Sequence, residues 1–330
     1  MIYDPYTHFS FSIKKPSKAK CGDASYSGLI KNNGAEFYLL LVADGVSKAP
    51  KDYLASETTI NSIVFHLENE PITALKEDFQ KAILYANQQI YLGVENTIGM
   101  LSTLSALIYD VKNAKIYLAN IGDSRIFGFN GEQWLQLTKD DADRMPYMQN
   151  GKQVFQNGEL IFYHPLTKAI GGTGTLEFEI IEPNFNEYMG FAMASDGFYD
   201  LKNFTDRLHV LYHAITPLDI LQKQSEQLLS EITDDASIGM IRLPPDKTIK
   251  FDYLTKTPKH SLAFYKADIF HDLDLAANSL NYFAIENIIK FIIERQIIDN
   301  KADMVQLLEK MIAIKAKGAI GLLTAILRKI

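Results

Sequence analysis

The sequence has a single cysteine, Cys21, in 330 residues. That excludes an internal disulfide framework and any zinc site built on several cysteines, and it fits a reducing compartment. Long apolar runs are also missing. The longest late one, Ala319 to Leu327, is far short of the roughly 20 residues a membrane span needs. Met1 to Phe11 is polar and aromatic, without the apolar centre of a signal peptide. The expectation is a cytoplasmic protein with no membrane contact. Basic charge is scarce too, and the net charge is −7. Residues 1–245 carry 20 Lys and Arg against 30 Asp and Glu, whereas residues 246–330 carry 13 against 10. An acidic body without a basic stripe argues against nucleic acid as the main ligand. The mildly basic tail reads as a solvated helical face or as a surface for an acidic partner. Nucleophile and nucleotide motifs are absent as well. Ser195 lacks a Gly-x-Ser-x-Gly frame, and no Lys follows Gly171-Gly172-Thr173-Gly174 in P-loop spacing. His8, His66, His164, His209, His213, His260 and His271 show no zinc-enzyme spacing.

What the chain does have is apolar content, at 47%, enough for one large core or two modest ones. Phe9 to Ile13 alternates and Phe37 to Val42 is continuously apolar. Thr103 to Tyr109, Ile116 to Ile121, Ile126 to Phe129 and Gln133 to Leu137 follow at turn-length spacing. Glu177 to Ile181, Gly190 to Ala194 and Ser237 to Arg242 come later. Such closely spaced strands pair antiparallel, because parallel neighbours need long crossovers. Helical spacing covers about Asp52 to Leu67 and Thr73 to Leu92, with Pro71 between them, and Leu218 to Ile232 after Pro217. These helices are natural cover for the outer faces of packed sheets. Trp134, Phe127 and Phe129 are expected in the core or on a strand face. Pro244-Pro245 ends the strand-rich part, so residues 1–245 read as one domain, 246–260 as a linker and 261–330 as an all-helical extension. There Ile285, Ile288, Ile289 and Ile292 share one face. The extension either packs on its own apolar stripes or docks a partner or a second copy, which helical stripes alone do not separate.

Four short acidic segments sit where strands are expected to end. They are Val42-Ala43-Asp44-Gly45, Ile121-Gly122-Asp123-Ser124-Arg125, Ala194-Ser195-Asp196-Gly197 running on to Asp200, and Asp234-Asp235 just ahead of the apolar run from Ile238. An isolated Asp-Gly is usually a turn, and Asp234-Asp235 alone reads as a solvated or capping pair. Their order, and the strands they end, point instead to one hard-cation site. Carboxylate oxygens suit magnesium or manganese rather than zinc or copper. Two such cations share a water that loses its proton near neutral pH and attacks phosphorus in line, and they draw charge from the phosphoryl oxygens. Asp44 suits a bridging role because Gly45 lets its own carbonyl approach a metal closely. Asp196 and Asp234 complete the first ion's shell.

Further segments fall into the same order. Gly22-Asp23-Ala24 precedes the Asp44 segment, and Leu101-Ser102-Thr103-Leu104 follows it. Ala119 to Arg125 is followed by Leu137-Thr138-Lys139-Asp140, and Thr167-Lys168-Ala169-Ile170-Gly171-Gly172 precedes Ala194 to Asp200 and Asp234 to Ser237. Over about residues 8–243 this ordered set resembles the metal-dependent protein phosphatases (PPM), the type 2C serine/threonine phosphatases, and bacterial members more than eukaryotic ones. The resemblance implies an α+β fold, a four-layer α/β/β/α sandwich of two mainly antiparallel sheets flanked by helices, with the metals at one end. The helical extension lies outside the match. The resemblance further implies hydrolysis of phosphoserine and phosphothreonine in phosphoprotein substrates, a serine/threonine kinase as an associated partner, and two divalent cations, manganese or magnesium, with a third, weaker one. Carried over by position, Asp44 bridges both ions, the Gly45 carbonyl binds one, and Asp196 and Asp234 hold the other. Asp23 sits beside the cluster, Asp123 and Asp200 match positions linked to the third metal, and Lys18 stands where many members carry a phosphate-binding Arg.

Three departures bear on activity. Gly22 stands where the family's motif often has Glu, and Val46 stands where many eukaryotic members have His. Lys18 cannot offer the two-pronged hydrogen bonding of Arg. They keep a second reading open: a catalytically weak or inactive phosphatase-fold module that binds phosphoproteins or kinases and recruits partners through the helical tail. An aspartyl-phosphate mechanism fits worse, since no Asp-x-Asp-x-Thr ends a strand.

Overall fold

In the computed structural model, residues 8–93, 99–149, 152–156, 159–213 and 217–243 are described, with 301–327 and nine scattered positions between 270 and 293 in the tail. Contacts divide the described residues into two units, one reaching to Arg242 and the other starting at Leu243. The expected linker, 246–260, lies outside the described residues.

The first unit holds two antiparallel sheets. One has the strand order β1 (His8–Ile13), β15 (Ala236–Arg242), β14 (Gly190–Ala194), β6 (Arg125–Phe129) and β7 (Trp134–Gln136). The other runs β2 (Asp23–Asn32), β3 (Ala35–Asp44), β4 (Leu104–Asp110) and β5 (Lys115–Ile121). Burial on both faces explains the unbroken apolar run in β3. Phe37, Leu39, Leu41 and Ala43 join the core under the helices, while Tyr38, Leu40 and Val42 point the other way and are equally buried. Each such leucine contributes about 1.5–3 kcal/mol. The second sheet of the sandwich meets this inner face, where Val42 lies next to Gly239 of β15. Near one end the sheets are stitched by hydroxyls. Ser12 Oγ is 2.8 Å from Ser25 Oγ, and Ser237 Oγ donates to Ser12 Oγ at 2.6 Å.

Helices α1 (Asp52–Asn69) and α2 (Leu75–Tyr91) cover the β2–β5 sheet. Buried Ala55, Thr59, Ile63 and Leu67 make the inner stripe of α1, and Phe79, Ala82, Ile83, Ala86 and Ile90 that of α2. Pro71 follows the end of α1, and Asp78 starts α2 by accepting the Thr73 and Ala74 N–H groups at 2.7 and 2.9 Å. The other sheet is covered by α3 (Asp196–Tyr199), α4 (Phe204–His213), α5 (Pro217–Lys223) and α6 (Ser225–Glu231). The four-layer α+β sandwich expected from the resemblance is therefore present, with Phe127 and Phe129 buried and Trp134 partly so.

Helix α4 and the two-residue strands between β7 and β14 were not expected, and three further details differ from the sequence reading. The helix expected over Leu218 to Ile232 is two helices meeting at Gln224. Glu177 to Ile181 is not a strand. Only Ile181 pairs, with Leu118, while Leu176, Phe178 and Ile180 pack on the core, so the alternation marks a buried side rather than a hydrogen-bonded ladder. Strand β2 was not expected. It is a half-buried edge strand, and its signal is the Asn33-Gly34 turn, with φ of 48° and 81°.

Between β7 and β14 the chain leaves at Asp141 and returns at Thr167, whose N–H donates to the Asp141 carbonyl at 2.8 Å. The excursion carries six two-residue strands: β8 (Met145–Pro146), β9 (Met148–Gln149), β10 (Lys152–Gln153), β11 (Phe155–Gln156), β12 (Glu159–Leu160) and β13 (Phe162–Tyr163). In the second unit, α7 (Lys301–Ala313) and α8 (Lys317–Leu327) share a core in which Ile285, Ile288, Ile289 and Ile292 are fully buried. Among the described residues no helix is long and apolar enough to cross a membrane.

Candidate functional site

The acidic segments meet where strands of both sheets end. The register pairs Asp23, at the start of β2, with Asp44, at the end of β3. Asp44 is fixed through its backbone. Its N–H donates to Thr103 Oγ1 at 3.0 Å, and its carbonyl accepts from the Thr103 N–H at 2.8 Å and Ser102 Oγ at 3.2 Å. Thr103 Oγ1 also lies 2.8 Å from the hydroxyl of Ser124, the neighbour of Asp123. Asp23 is buried, and its Oδ2 accepts from Ser195 Oγ at 2.7 Å. That hydroxyl in turn accepts from the Ser237 N–H at 2.9 Å, which ties Asp23 to the segment opening α3 at Asp196. Two glycines allow this density. A Cβ on Gly45 would lie 2.0 Å from the Asp52 carbonyl oxygen, and one on Gly197 would lie 1.9 Å from that of Asp235.

These carboxylates sit in an environment that opposes their charge. Burial, then the charges of Asp23, Asp196 and Asp123, hold Asp44 well above the usual carboxylate range. Burial pushes Asp23 up to about 7, with Asp196 and Asp235 adding repulsion and the Ser195 hydrogen bond opposing it. Asp196 rises to about 6 through burial and the nearby Asp123 and Asp234. Asp123 is raised by burial, with Asp140 adding to it. A donor set of hard oxygens that repel one another in a dry site fits a magnesium- or manganese-like cation. Among the described residues, no three of these side chains converge as they stand on one ion position.

The other flank differs. The loop between β1 and β2 carries Lys14, Lys15, Lys18 and Lys20. Lys15 Nζ lies 2.9 Å from Asp234 Oδ1, and Lys18 Nζ lies 2.8 Å from both Asp52 Oδ2 and Asp235 Oδ2. Partial burial pushes Asp234 up, but Lys15 and Lys18 together leave it below its ordinary value. Asp235 is 1% exposed. It accepts from the Lys15 N–H at 2.7 Å and the Gly22 N–H at 2.6 Å, so it fixes the loop.

The structure thus brings Asp23, Asp44, Asp123 and Asp196 together. Asp234 lies near Asp196 but is paired with lysine, and Asp200 is exposed at the end of α3, close enough for its charge to act on Asp123 and Asp196. Lys18 stands beside the cluster with its three donors on Asp52, Asp235 and Ser47 Oγ, the last at 3.1 Å. Lys15, Asp52, Asp235 and the bidentate Arg125–Asp140 pair (shortest contact 2.8 Å) were not expected. The lysine-rich run 14–20 inside an acidic domain was the available signal. Arg125 also stacks 3.9 Å from the Tyr199 ring, whose hydroxyl donates to the Asp123 carbonyl at 3.1 Å. Neither candidate nucleophile is available. The Ser195 hydroxyl is buried and used in both directions, and burial and Asp23 push the Cys21 thiol up to about 12.

No family model matches the chain. In sequence it is similar to protein phosphatase PhpP of Streptococcus pneumoniae, at 26% identity over 179 residues, 52% of this chain and 68% of that protein. In structure it is similar to the serine/threonine phosphatase PstP/Ppp of Mycobacterium tuberculosis, with TM-score 0.53 and 21% identity over 72% of this chain and 98% of the other. It is also similar to Stp1 of Staphylococcus aureus, with TM-score 0.56 and 19% identity over 72% and 94%. Another similar structure is the PstP catalytic domain in complex with two manganese ions, with TM-score 0.53 and 21% identity over 72% and 97%. The chain has the PPM phosphatase fold, and the resemblance to bacterial members first read from its acidic motifs holds in both sequence and structure. Nothing in these comparisons favours the inactive binding module.

Proposed function

We propose that this chain is a metal-dependent protein phosphatase that hydrolyses phosphoserine and phosphothreonine. The observation that carries the reading is that Asp23, Asp44, Asp123 and Asp196, from four separate segments, lie at one end of the sandwich, linked by the Asp23–Asp44 register, by Ser195 and by the Thr103–Ser124 contact. The relatives named protein phosphatase support it. Asp44 and Asp196 would hold the cations, with the Gly45 carbonyl beside Asp44, Asp23 and Asp123 flanking, Asp200 at the rim, and Asp234 next to Asp196 on the lysine side. When bound, manganese or magnesium supplies an activated water and neutralises phosphoryl charge.

The chain's own groups set the stage for that chemistry. Thr103 and Ser102 lock the Asp44 backbone. Ser195 orients Asp23. Lys18 meets the ester by exchanging Ser47, the longest of its three hydrogen bonds, for a phosphate oxygen. With the Ser195 hydroxyl occupied and the Cys21 thiol pushed up, neither of these two side chains is set to attack phosphorus, which supports water as the nucleophile. The test is hydrolysis of an aryl phosphate in manganese by Asp44→Ala and Asp196→Ala. Both variants should fold and lose turnover, and wild-type-like turnover in either overturns the proposal. A phosphopeptide panel then reads residue selectivity.

A further inference from the structure

We propose that the ammonium groups of Lys15 and Lys18 stand in for one of the two divalent cations, so that this chain binds a single metal ion tightly. The inference rests on the phosphatase reading above and concerns how its site is charged.

The argument starts at Gly22. A Cβ built there would lie 2.8 Å from Lys18 Nζ and 2.9 Å from the Oδ2 atoms of both Asp52 and Asp235. The volume in which a side chain at position 22 would begin is thus filled by an ammonium and its two carboxylates. This place adjoins Gly45, whose N–H donates to the Gly22 carbonyl at 3.0 Å. The Lys18 ammonium therefore lies beside the Gly22–Gly45 contact, on the edge of the acidic centre. Its third donor is on Ser47, and Asp234 Oδ1 lies 3.7 Å away. Lys15 completes the arrangement at 2.9 Å from that same Asp234 oxygen.

Two fixed positive charges on Asp52, Asp234 and Asp235 equal the charge of one divalent ion. They are held in place. Asp235 grips the loop backbone at Lys15 and Gly22, and Lys14 Nζ donates to the carbonyls of Lys15 and Lys18 at 3.2 and 2.5 Å. A divalent cation entering this flank must displace ammonium groups that already have their partners, or sit against them and be repelled. The other flank has no such occupant. Among the described residues no ion pair reaches Asp23, Asp44, Asp123 or Asp196, and the demand for a cation is concentrated there.

Manganese titration of the full chain, followed by calorimetry and by the electron paramagnetic resonance of free Mn(II), tests this. The wild type should take up one equivalent tightly and a second at least tenfold more weakly. Lys15→Gln/Lys18→Gln should tighten the second equivalent at least tenfold, while Lys15→Arg/Lys18→Arg should titrate like the wild type. Asp44→Ala should lose the tight equivalent. If the double glutamine variant does not fold, Lys18→Gln alone should show the same tightening. Two equivalents of equal affinity in the wild type, or a second equivalent that glutamine leaves unchanged or weakens, overturns the inference. In that event, turnover by the wild type leaves the phosphatase reading standing. Failure of the wild type to bind manganese, with no hydrolysis of an aryl phosphate, overturns both.

Discussion

Asp234 and Asp235 face two lysines and a row of backbone donors, whereas Asp23, Asp44 and Asp196 face hydroxyl groups and one another. Both sets end strands or open turns at the same end of the sandwich. The first is neutralised by the chain itself and serves as structure. The second is crowded with carboxyl groups that oppose one another's charge, a cost that protonation or a bound cation would relieve. The contrast shows that acidic residues neighbouring in space can divide between holding a loop and crowding one another, and that the division follows from where the basic residues were placed.

The sharpest way to break the contrast is to remove a carboxylate from each side. Asp44→Ala should lower kcat/KM for an aryl phosphate by about 10³-fold, yet leave the melting temperature of the metal-free protein unchanged or raised, because a repelling buried carboxylate is gone. Asp235→Ala should instead destabilise the fold by about 2–3 kcal/mol, read by urea unfolding, since a half-buried ammonium and two N–H groups lose an acceptor. Gly197→Ala forces a Cβ onto the Asp235 carbonyl and should cost about 1–3 kcal/mol, with a smaller loss of activity than Asp44→Ala.

The pH dependence should have opposite sign on the two flanks, and it is the smallest of these effects. Asp23 and Asp196 keep protons in the native state that the unfolded chain has given up above about pH 4. Their contribution to metal-free stability is complete below that pH and lost as pH rises through about 6 and 7. Asp234, lowered in the native state, contributes above the ordinary carboxylate range and loses that contribution on acidification. Thermal unfolding between pH 4 and pH 8 should therefore show a metal-free protein that weakens toward pH 8, and saturating manganese should remove the decline.

Much of the sandwich was legible because its strands are apolar on both faces and end in Asp beside Gly, as in Val42-Ala43-Asp44-Gly45. The four aspartates that the structure brings together, Asp23, Asp44, Asp123 and Asp196, were legible because each stands beside a Gly. Asp235 was not, because a polar pair after a helix looks solvated until the loop that covers it is in place. Asp52 acquires its role only through the space that Gly22 leaves for the Lys18 ammonium, a three-dimensional fact without a local pattern. Strand β2 escaped because its edge position leaves it half polar, although Asn33-Gly34 announces the hairpin.

The pairing of β1 with β15 joins the two ends of the first unit, and among the described residues β15 is the only strand neighbour of β1 in its sheet. During synthesis the early lysine loop therefore lacks its Asp234 and Asp235 partners until the strand after them has left the ribosome. The acidic end of the sandwich is then among the last parts to assemble.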